Sequence, residues 1–208
     1  SIIEINILQL VKFGFSDIII SLGYLGDLIE NVIGDGKKYG INISYFYEPE
    51  SLGTVGSLSM MEGRLNNDFI VMNGDILHNL DLKRLLKDHK TNDCKVTIST
   101  KQKEYKIRLG ILDFKNDKIV KYIEKPTAKH QVSIGIYAMN KSIVSHFIPK
   151  NKYLDFPTLI NNLISNNINI NHYEHDGLWI DLGVYEDYSK LNEDLYDIKK
   201  SYPMVPII

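Results

Sequence analysis

A short apolar run that ends abruptly in polar residues constrains the fold more than any other stretch of the sequence. Residues 69–72 read Phe-Ile-Val-Met without helical spacing, and Asn73, Gly74 and Asp75 follow directly. Such a run before a glycine predicts a strand that is buried on both faces, as in a parallel sheet covered by helices. Ligands bind outside the carboxyl ends of the strands in these sheets. Asp75 is therefore placed where a ligand is expected.

Helical and strand-like patterns alternate on either side of this run. The βαβαβ order up to residue 75 favours right-handed crossovers between parallel strands. The predicted fold class is therefore α/β, with a mainly parallel mixed sheet flanked by helices. We predict helices at 2–13, 24–33, 57–65, 81–90, 141–147, 155–165 and 184–197, and further strands at 17–21, 41–47, 95–100, 109–114, 118–123, 132–139 and 168–172.

The length and the charge balance limit the classes of protein to consider. A chain of 208 residues without repeats or linkers fits one α/β domain, which we place at 1–200 with a tail at 201–208. A net charge of −2 gives no reason to expect nucleic acid or an anionic membrane as a partner. A single cysteine, Cys94, suits a reducing compartment. No apolar run approaches the ~18 residues of a membrane span. We expect a cytoplasmic protein, and a homo-oligomer is compatible with the sequence.

Two aspartates near glycines are the candidate metal ligands. Asp75 follows Gly74, and Asp181 lies two residues before Gly183 in the segment Trp-Ile-Asp-Leu-Gly. Mg²⁺ takes oxygen ligands and is usually held by one or two carboxylates together with substrate phosphates. Each aspartate taken alone is equally well explained as a helix cap or a turn residue.

A glycine-rich turn at 52–56, Leu-Gly-Thr-Val-Gly, follows a predicted strand and precedes a predicted helix. Its glycines would let backbone N–H groups approach a ligand closely, and a helix N-terminus favours an anion or a polar carbonyl edge. An ordinary loop-to-helix turn explains the same glycines without a ligand.

Two further candidates lie in the second half of the chain. Lys125 could act as a point charge on a phosphate, and Glu124 as an acceptor for sugar hydroxyls. A strand-end ion pair explains both equally well. Gly135, inside a predicted strand, either allows close approach of a ligand or marks a bulge.

The order and spacing of these motifs resemble those of the sugar-1-phosphate nucleotidyltransferases, also called nucleotide-sugar pyrophosphorylases. The form Asn-Gly-Asp-Ile, together with Asp155-Phe-Pro, looks most like the bacterial mannose-1-phosphate guanylyltransferase-like branch. The matching segments cover nearly the whole chain and are Gly-Tyr-Leu-Gly (23–26), Gly-Asp-Gly-x-x-x-Gly (34–40), Leu-Gly-Thr-x-Gly (52–56), Asn-Gly-Asp (73–75), Glu-Lys-Pro (124–126), Gly-Ile-Tyr (135–137) and Trp-x-Asp-x-Gly (179–183).

The resemblance implies a Rossmann-like nucleotidyltransferase fold and a defined reaction. An oxygen of a sugar 1-phosphate attacks the α-phosphorus of an NTP, here GTP, and pyrophosphate leaves, which gives an NDP-sugar for surface-glycan precursors. The resemblance implies Asp75 and Asp181 as Mg²⁺ ligands and, with Lys125 on the sugar phosphate, as the catalytic residues. The substrate-binding residues that it implies are Leu52, Gly53, Thr54, Gly56, Asn73, Gly74, Gly110, Glu124, Ser133, Gly135 and Asp155.

Two departures from the family pattern are visible. The loop Gly-x-Gly-Thr-Arg-Leu, which grips the NTP phosphates in the family, is not in this sequence. We therefore expect these 208 residues alone to be nearly inactive, and we expect that loop within ~30 residues upstream of Ser1 in the coding sequence. Ser133 stands where many relatives carry Asn.

Two other functions remain open. A regulatory or scaffold subunit that binds a nucleotide sugar without turnover would explain the missing loop. A retaining glycosyltransferase with an Asp-x-Asp metal motif fits less well, because residues 73–75 carry one carboxylate and residues 124–126 would be unexplained.

Overall fold

The computed structural model describes residues 1–183. The predicted helix at 184–197 and the tail at 201–208 lie outside this range. The helices are α1 (Ile2–Lys12), α2 (Gly26–Ile33), α3 (Gly53–Gly56), α4 (Leu58–Met61), α5 (Leu82–Thr91), α6 (Lys141–Phe147) and α7 (Phe156–Ser165). The strands are β1 (Asp17–Leu22), β2 (Asn42–Tyr47), β3 (Asp68–Met72), β4 (Ile76–His78), β5 (Val96–Lys106), β6 (Ile111–Lys115), β7 (Lys118–Ile123), β8 (Thr127–Asn140), β9 (Ile170–Glu174) and β10 (Trp179–Asp181).

Three differences from the predicted elements have physical causes. The helix expected at 57–65 is divided into α4 and a 3₁₀ turn at Glu62–Arg64. Strands β5 and β8 extend beyond their predicted ends. These extensions were not predicted because their residues are mostly exposed and carry no apolar pattern. Strands β4 and β10 were not predicted, since three residues are too few to show a period-two alternation.

The sheets combine parallel and antiparallel pairs. Strands β3, β8, β5 and β9 form one sheet in that order, and β1 pairs with β2 in parallel. Strand β8 runs antiparallel to both of its neighbours, whereas β9 is parallel to β5. The antiparallel share exceeds what the βαβ order implied, because β5 and β8 are joined through the β6–β7 hairpin rather than a helix. The predicted α/β class with a mixed sheet flanked by helices is confirmed.

Apolar side chains on both faces of β8 show where the core lies. Tyr137 and Met139 pack on one face with residues of α3, α4, α6 and α7. Ile136 and Ala138 pack on the other face with residues of α1, α5 and β4. The large sheet is thus covered on both sides. Among residues 1–183, none of the helices has both the length and the apolar character that crossing a membrane requires.

A cavity of about 1250 Å³ lies along β1 and β3. Within residues 1–183, β1 pairs only with β2, and β3 pairs only with β8. The cavity lining includes 17–22 and 68–72. The side chains of β3 are therefore only partly buried, and the prediction that this strand is buried on both faces was wrong for the described residues.

Polar side chains of α1 hold the segment that follows β3. Asn6 Nδ2 donates to the carbonyl of Gly74 at 3.3 Å, and Gln9 Nε2 donates to the carbonyl of Leu80 at 3.4 Å. Both side chains are buried, whereas Leu8 is 40% exposed. The buried face of α1 is thus partly polar, which its apolar spacing did not indicate.

His78 is a buried neutral histidine between these elements. Its Nδ1 accepts the N–H of Leu80 at 3.2 Å, and its Nε2 lies 3.1 Å from Met72 Sδ. The side chain is fully buried, and burial, with a smaller contribution from His175, lowers its pKa from 6.5 to about 3. Burial also lowers the pKa of His89 and of His175.

Acid should therefore destabilise the fold through His78. In the unfolded chain this histidine binds a proton near pH 6.5, whereas in the folded chain it does so only at lower pH. The free energy of unfolding should therefore decrease by up to about 1.4 kcal/mol per pH unit as pH falls from 6.5. His78→Asn, which keeps an acceptor for Leu80, should reduce this slope in urea unfolding between pH 6.5 and 4. The exposed residue His130 provides the matched control, His130→Asn. Equal slopes in the wild type and His78→Asn would contradict the assignment.

Candidate functional site

The antiparallel pairing of β4 with β10 brings Asp75 and Asp181 to the same place. Asp181 is in register with Ile76, and the N–H of Leu182 donates to the carbonyl of Asp75 at 3.1 Å. The two aspartates, far apart in sequence, therefore lie on adjacent paired segments.

Gly183 shows that the two carboxylates face the same point. A Cβ built on this glycine would lie 3.2 Å from Asp181 Oδ1 and 3.4 Å from Asp75 Oδ2. The two oxygens are thus no farther apart than the sum of these distances. The N–H of Gly183 also donates to Asp181 Oδ1 at 2.9 Å. A side chain at position 183 would crowd Asp181 Oδ1 and contact Asp75 Oδ2, so both carboxylates lie against this glycine.

The donor set fits a hard cation. Both side chains offer carboxylate oxygens, and Asp75 is exposed. Within residues 1–183, no cluster of three or more His, Cys, Asp or Glu side chains is arranged to hold a metal. A structural zinc site, which takes four protein ligands, is not formed by these residues. Mg²⁺ held by two carboxylates and completed by water and substrate oxygens matches the pair. The metal-ligand role of Asp75 and Asp181 stays a prediction.

Three other predicted residues are connected to the segment that carries Asp75. The N–H of Asn73 donates to the carbonyl of Gly135 at 3.0 Å, and a Cβ on Gly135 would lie 2.9 Å from Asn73 Nδ2. The backbone φ of Gly135 is +75°, which favours glycine. Gly74 accepts from Asn6, as described above. Gly135 also lies where the β5–β8 register shifts, so it marks a bulge, and its substrate-binding role stays a prediction.

The glycine-rich turn at 52–56 packs against the segment at 152–154. The N–H groups of Val55 and Gly56 donate to the carbonyl of Leu154 at 3.1 and 3.2 Å. Cβ atoms on Gly53 and Gly56 would lie 2.6 and 2.5 Å from carbonyl oxygens of that segment. The glycines thus permit contact between two loops, and backbone donation to a ligand would have to come from Gly53 and Thr54.

Thr54 and Asp155 connect this turn to α7. Thr54 Oγ1 accepts the N–H of Phe156 at 2.9 Å. Asp155 Oδ1 accepts the N–H of Thr158 at 2.9 Å and caps α7, and these interactions with Thr158 lower the pKa of the carboxyl. The visible role of Asp155 is therefore local, and its substrate-binding role remains a prediction.

Glu124 and Lys125 form a second cluster near the β6–β7 hairpin. Lys125 Nζ lies 3.6 Å from Glu124 Oε1, and the Tyr122 hydroxyl donates to Glu124 Oε2 at 2.7 Å. This hydrogen bond raises the pKa of Tyr122. Gly110 lies against the Tyr122 ring. The ion-pair alternative is what the geometry shows, but the Lys125 side chain is 67% exposed and accessible to a ligand.

Ser133 belongs to neither cluster. Its hydroxyl lies 3.0 Å from the Tyr137 hydroxyl, and the Tyr137 ring stacks on Phe156 at 3.5 Å. Within residues 1–183, no hydrogen bond or ion pair joins the Glu124–Lys125 cluster to Asp75 or Asp181.

Two residues that support the candidate site were not predicted from the sequence. Asn6 supports Gly74, and its i, i+3 spacing with Gln9 on a mostly apolar helix was the available signal. Glu48 contacts the turn at 52–56 through Leu52. No sequence pattern indicated this contact.

The comparisons with known proteins agree with the fold. The nucleotidyl transferase family profile matches residues 1–198. HddC from Yersinia pseudotuberculosis aligns with a TM-score of 0.67 at 26% identity, covering 91% of this chain and 83% of that chain. The same protein complexed with GMP-PN aligns with a TM-score of 0.71 at 24% identity, covering 93% and 84%.

Curated relatives give a consistent result. The mannose-1-phosphate guanylyltransferase of Mycobacterium tuberculosis is 30% identical over 204 residues, covering 90% of this chain and 54% of that protein. The mannose-1-phosphate guanylyltransferase catalytic subunit beta of Dictyostelium discoideum is 28% identical over 205 residues, covering 93% and 56%. The chain spans about half the length of the curated relatives it matches. Since this family profile accounts for nearly the whole chain, the chain belongs to the nucleotidyl transferase family.

Proposed function

We propose that the protein transfers a nucleotidyl group from an NTP to a sugar 1-phosphate and releases pyrophosphate. The observation that carries the proposal is the convergence of Asp75 and Asp181 at Gly183 in a chain of this family. A pair of carboxylates open to solvent on one side is what a phosphate-bound cation requires.

The proposed reaction needs positioning more than covalent chemistry from the protein. An oxygen of the sugar phosphate attacks the α-phosphorus, and the bond to the pyrophosphate oxygen breaks. Asp75 and Asp181 would hold Mg²⁺, which when bound neutralises charge on the phosphates. Lys125 would orient and neutralise the sugar phosphate, and the backbone of Gly53 and Thr54 would hold the nucleotide. Alignment of the attacking and leaving oxygens then accounts for most of the catalysis.

GTP is the proposed nucleotide, and mannose 1-phosphate or a related sugar destined for surface glycans is the proposed acceptor. Support comes from relatives named mannose-1-phosphate guanylyltransferases. The cytoplasm, where NTPs are made, is the proposed compartment. The relative named a catalytic subunit beta makes association with further copies or subunits a reasonable part of the proposal.

The direct test is pyrophosphate release by the complete protein across the common NTPs and a panel of sugar 1-phosphates. Mg²⁺-dependent release with GTP and one sugar 1-phosphate is the expected result. Binding of a nucleotide sugar without release for any pair would support the non-catalytic subunit instead. Release with another NTP would correct the base but retain the reaction.

Removing either candidate metal ligand should abolish turnover. Asp75→Asn and Asp181→Asn should each lower kcat by about 100-fold or more and raise the Mg²⁺ concentration for half-maximal rate, because each removes a charged oxygen ligand. Asp176→Asn, an exposed aspartate on the approach to β10, is the matched control. Near-normal Mg²⁺-dependent turnover in either variant would remove that residue from the metal site.

Lys125→Ala should act mainly on the sugar phosphate. Its KM should rise about tenfold or more with a smaller change in kcat, because a hydrogen bond to a charged group contributes about 1.5–3 kcal/mol. Lys118→Ala, on the adjacent hairpin, is the control. An unchanged KM in steady-state assays of Lys125→Ala would exclude contact with the sugar phosphate.

A further inference from the structure

Glu48 lies at the carboxyl end of the parallel pair β1–β2. Leu22 and Tyr47, the last residues of the two strands, are in register. The N–H of Glu48 donates to the carbonyl of Leu22 at 2.9 Å, which continues the ladder by one bond. The backbone of Glu48 is therefore fixed to the sheet.

The carboxylate of Glu48 connects two separate segments. Oε1 accepts from the Ser21 hydroxyl at 2.7 Å, and Oε2 accepts from the backbone N–H of Leu52 at 3.0 Å. The first bond fixes the side chain against β1. The second holds the first residue of the turn at 52–56. Hydrogen bonds to an ionised carboxylate are stronger than neutral ones.

The peptide groups of Leu52 are held from both sides. Glu48 binds its N–H, and the N–H of Leu154 donates to its carbonyl at 2.9 Å. Its side chain is buried. Only residues 49–51, which are exposed, separate Glu48 from this fixed point. The contact thus closes a short loop between the sheet and the turn.

We infer that Glu48 is a positioning residue that sets the turn at 52–56 relative to the sheet. Because Gly53 and Thr54 follow Leu52 directly, the Glu48 carboxylate, together with the contacts to residues 152–156, sets where their N–H groups point. Its effect on catalysis rests on the proposed function, in which these groups hold the nucleotide. Its effect on the position of the turn is independent of the proposed function.

Glu48→Gln separates positioning from direct contact with a substrate. A glutamine can accept from the Leu52 N–H through Oε1 and donate to the Ser21 hydroxyl through Nε2, so both connections can be kept without the charge. Glu48→Ala removes both. A positioning role predicts rescue by glutamine, whereas a carboxylate that contacts the substrate through its charge predicts that both variants fail equally.

Amide hydrogen exchange of the complete protein tests the effect of Glu48 on the turn at 52–56, and this measurement does not depend on enzymatic activity. Exchange of the Leu52 N–H should accelerate about tenfold or more in Glu48→Ala and much less in Glu48→Gln, since its hydrogen-bond acceptor is removed only in the alanine variant. Glu50→Ala is the matched control, because Glu50 is exposed and makes no hydrogen bond with any described residue. Melting temperatures of the variants check that the fold is retained. Unchanged exchange in Glu48→Ala would overturn the inference.

Steady-state kinetics tests the effect of Glu48 on nucleotide binding. In Glu48→Ala the KM for the NTP should rise about tenfold, while the KM for the sugar 1-phosphate stays close to wild type, and Glu48→Gln should restore the NTP value. Equal loss in both variants would overturn positioning in favour of direct contact. A wild type that releases no pyrophosphate would refute the proposed function and leave the exchange result to decide the role of Glu48.

Discussion

The pairing of two three-residue strands, β4 and β10, is the interaction on which the candidate site depends. So short a ladder is marginal by itself, and its stability comes from packing around it. Ile76, Leu77 and Ile180 are buried, and the indole N–H of Trp179 donates to the carbonyl of Ile134 at 3.0 Å, which fixes β10 to β8. The aspartates at the ends of the two strands can converge because this packed pair sets their register.

Glycines contribute to the site indirectly. At positions 53, 56, 135 and 183 the closest neighbour of an added Cβ would be a protein atom. At 135 that neighbour is Asn73, and at 183 it is Asp181, with Asp75 close behind. These glycines permit close contact between protein groups, and their role toward a ligand stays a prediction. The glycines bring together the protein groups that would then meet a ligand.

Local sequence signals predicted the helices well, but they could not predict long-range contacts. Helices α1, α5 and α7 begin after capping residues, Ser1, Asp81 and Asp155, which act within one turn and are visible in sequence. The β4–β10 pair was not predicted because its register depends on tertiary packing. The link from Glu48 to Leu52 escaped because a carboxylate in a loop has no periodic pattern. The family motifs located Asp75 and Asp181, and the fold supplied their proximity.

The central claim is that Asp75 and Asp181 bind one divalent ion together. The most direct measurement is Mn²⁺ binding by the complete protein, followed by electron paramagnetic resonance, in the wild type, Asp75→Asn, Asp181→Asn and the double variant. One shared ion predicts that each single substitution weakens the same site and that the double variant loses less than the product of the two effects. Undiminished binding in either single variant, or two independent losses at separate sites, would contradict the account.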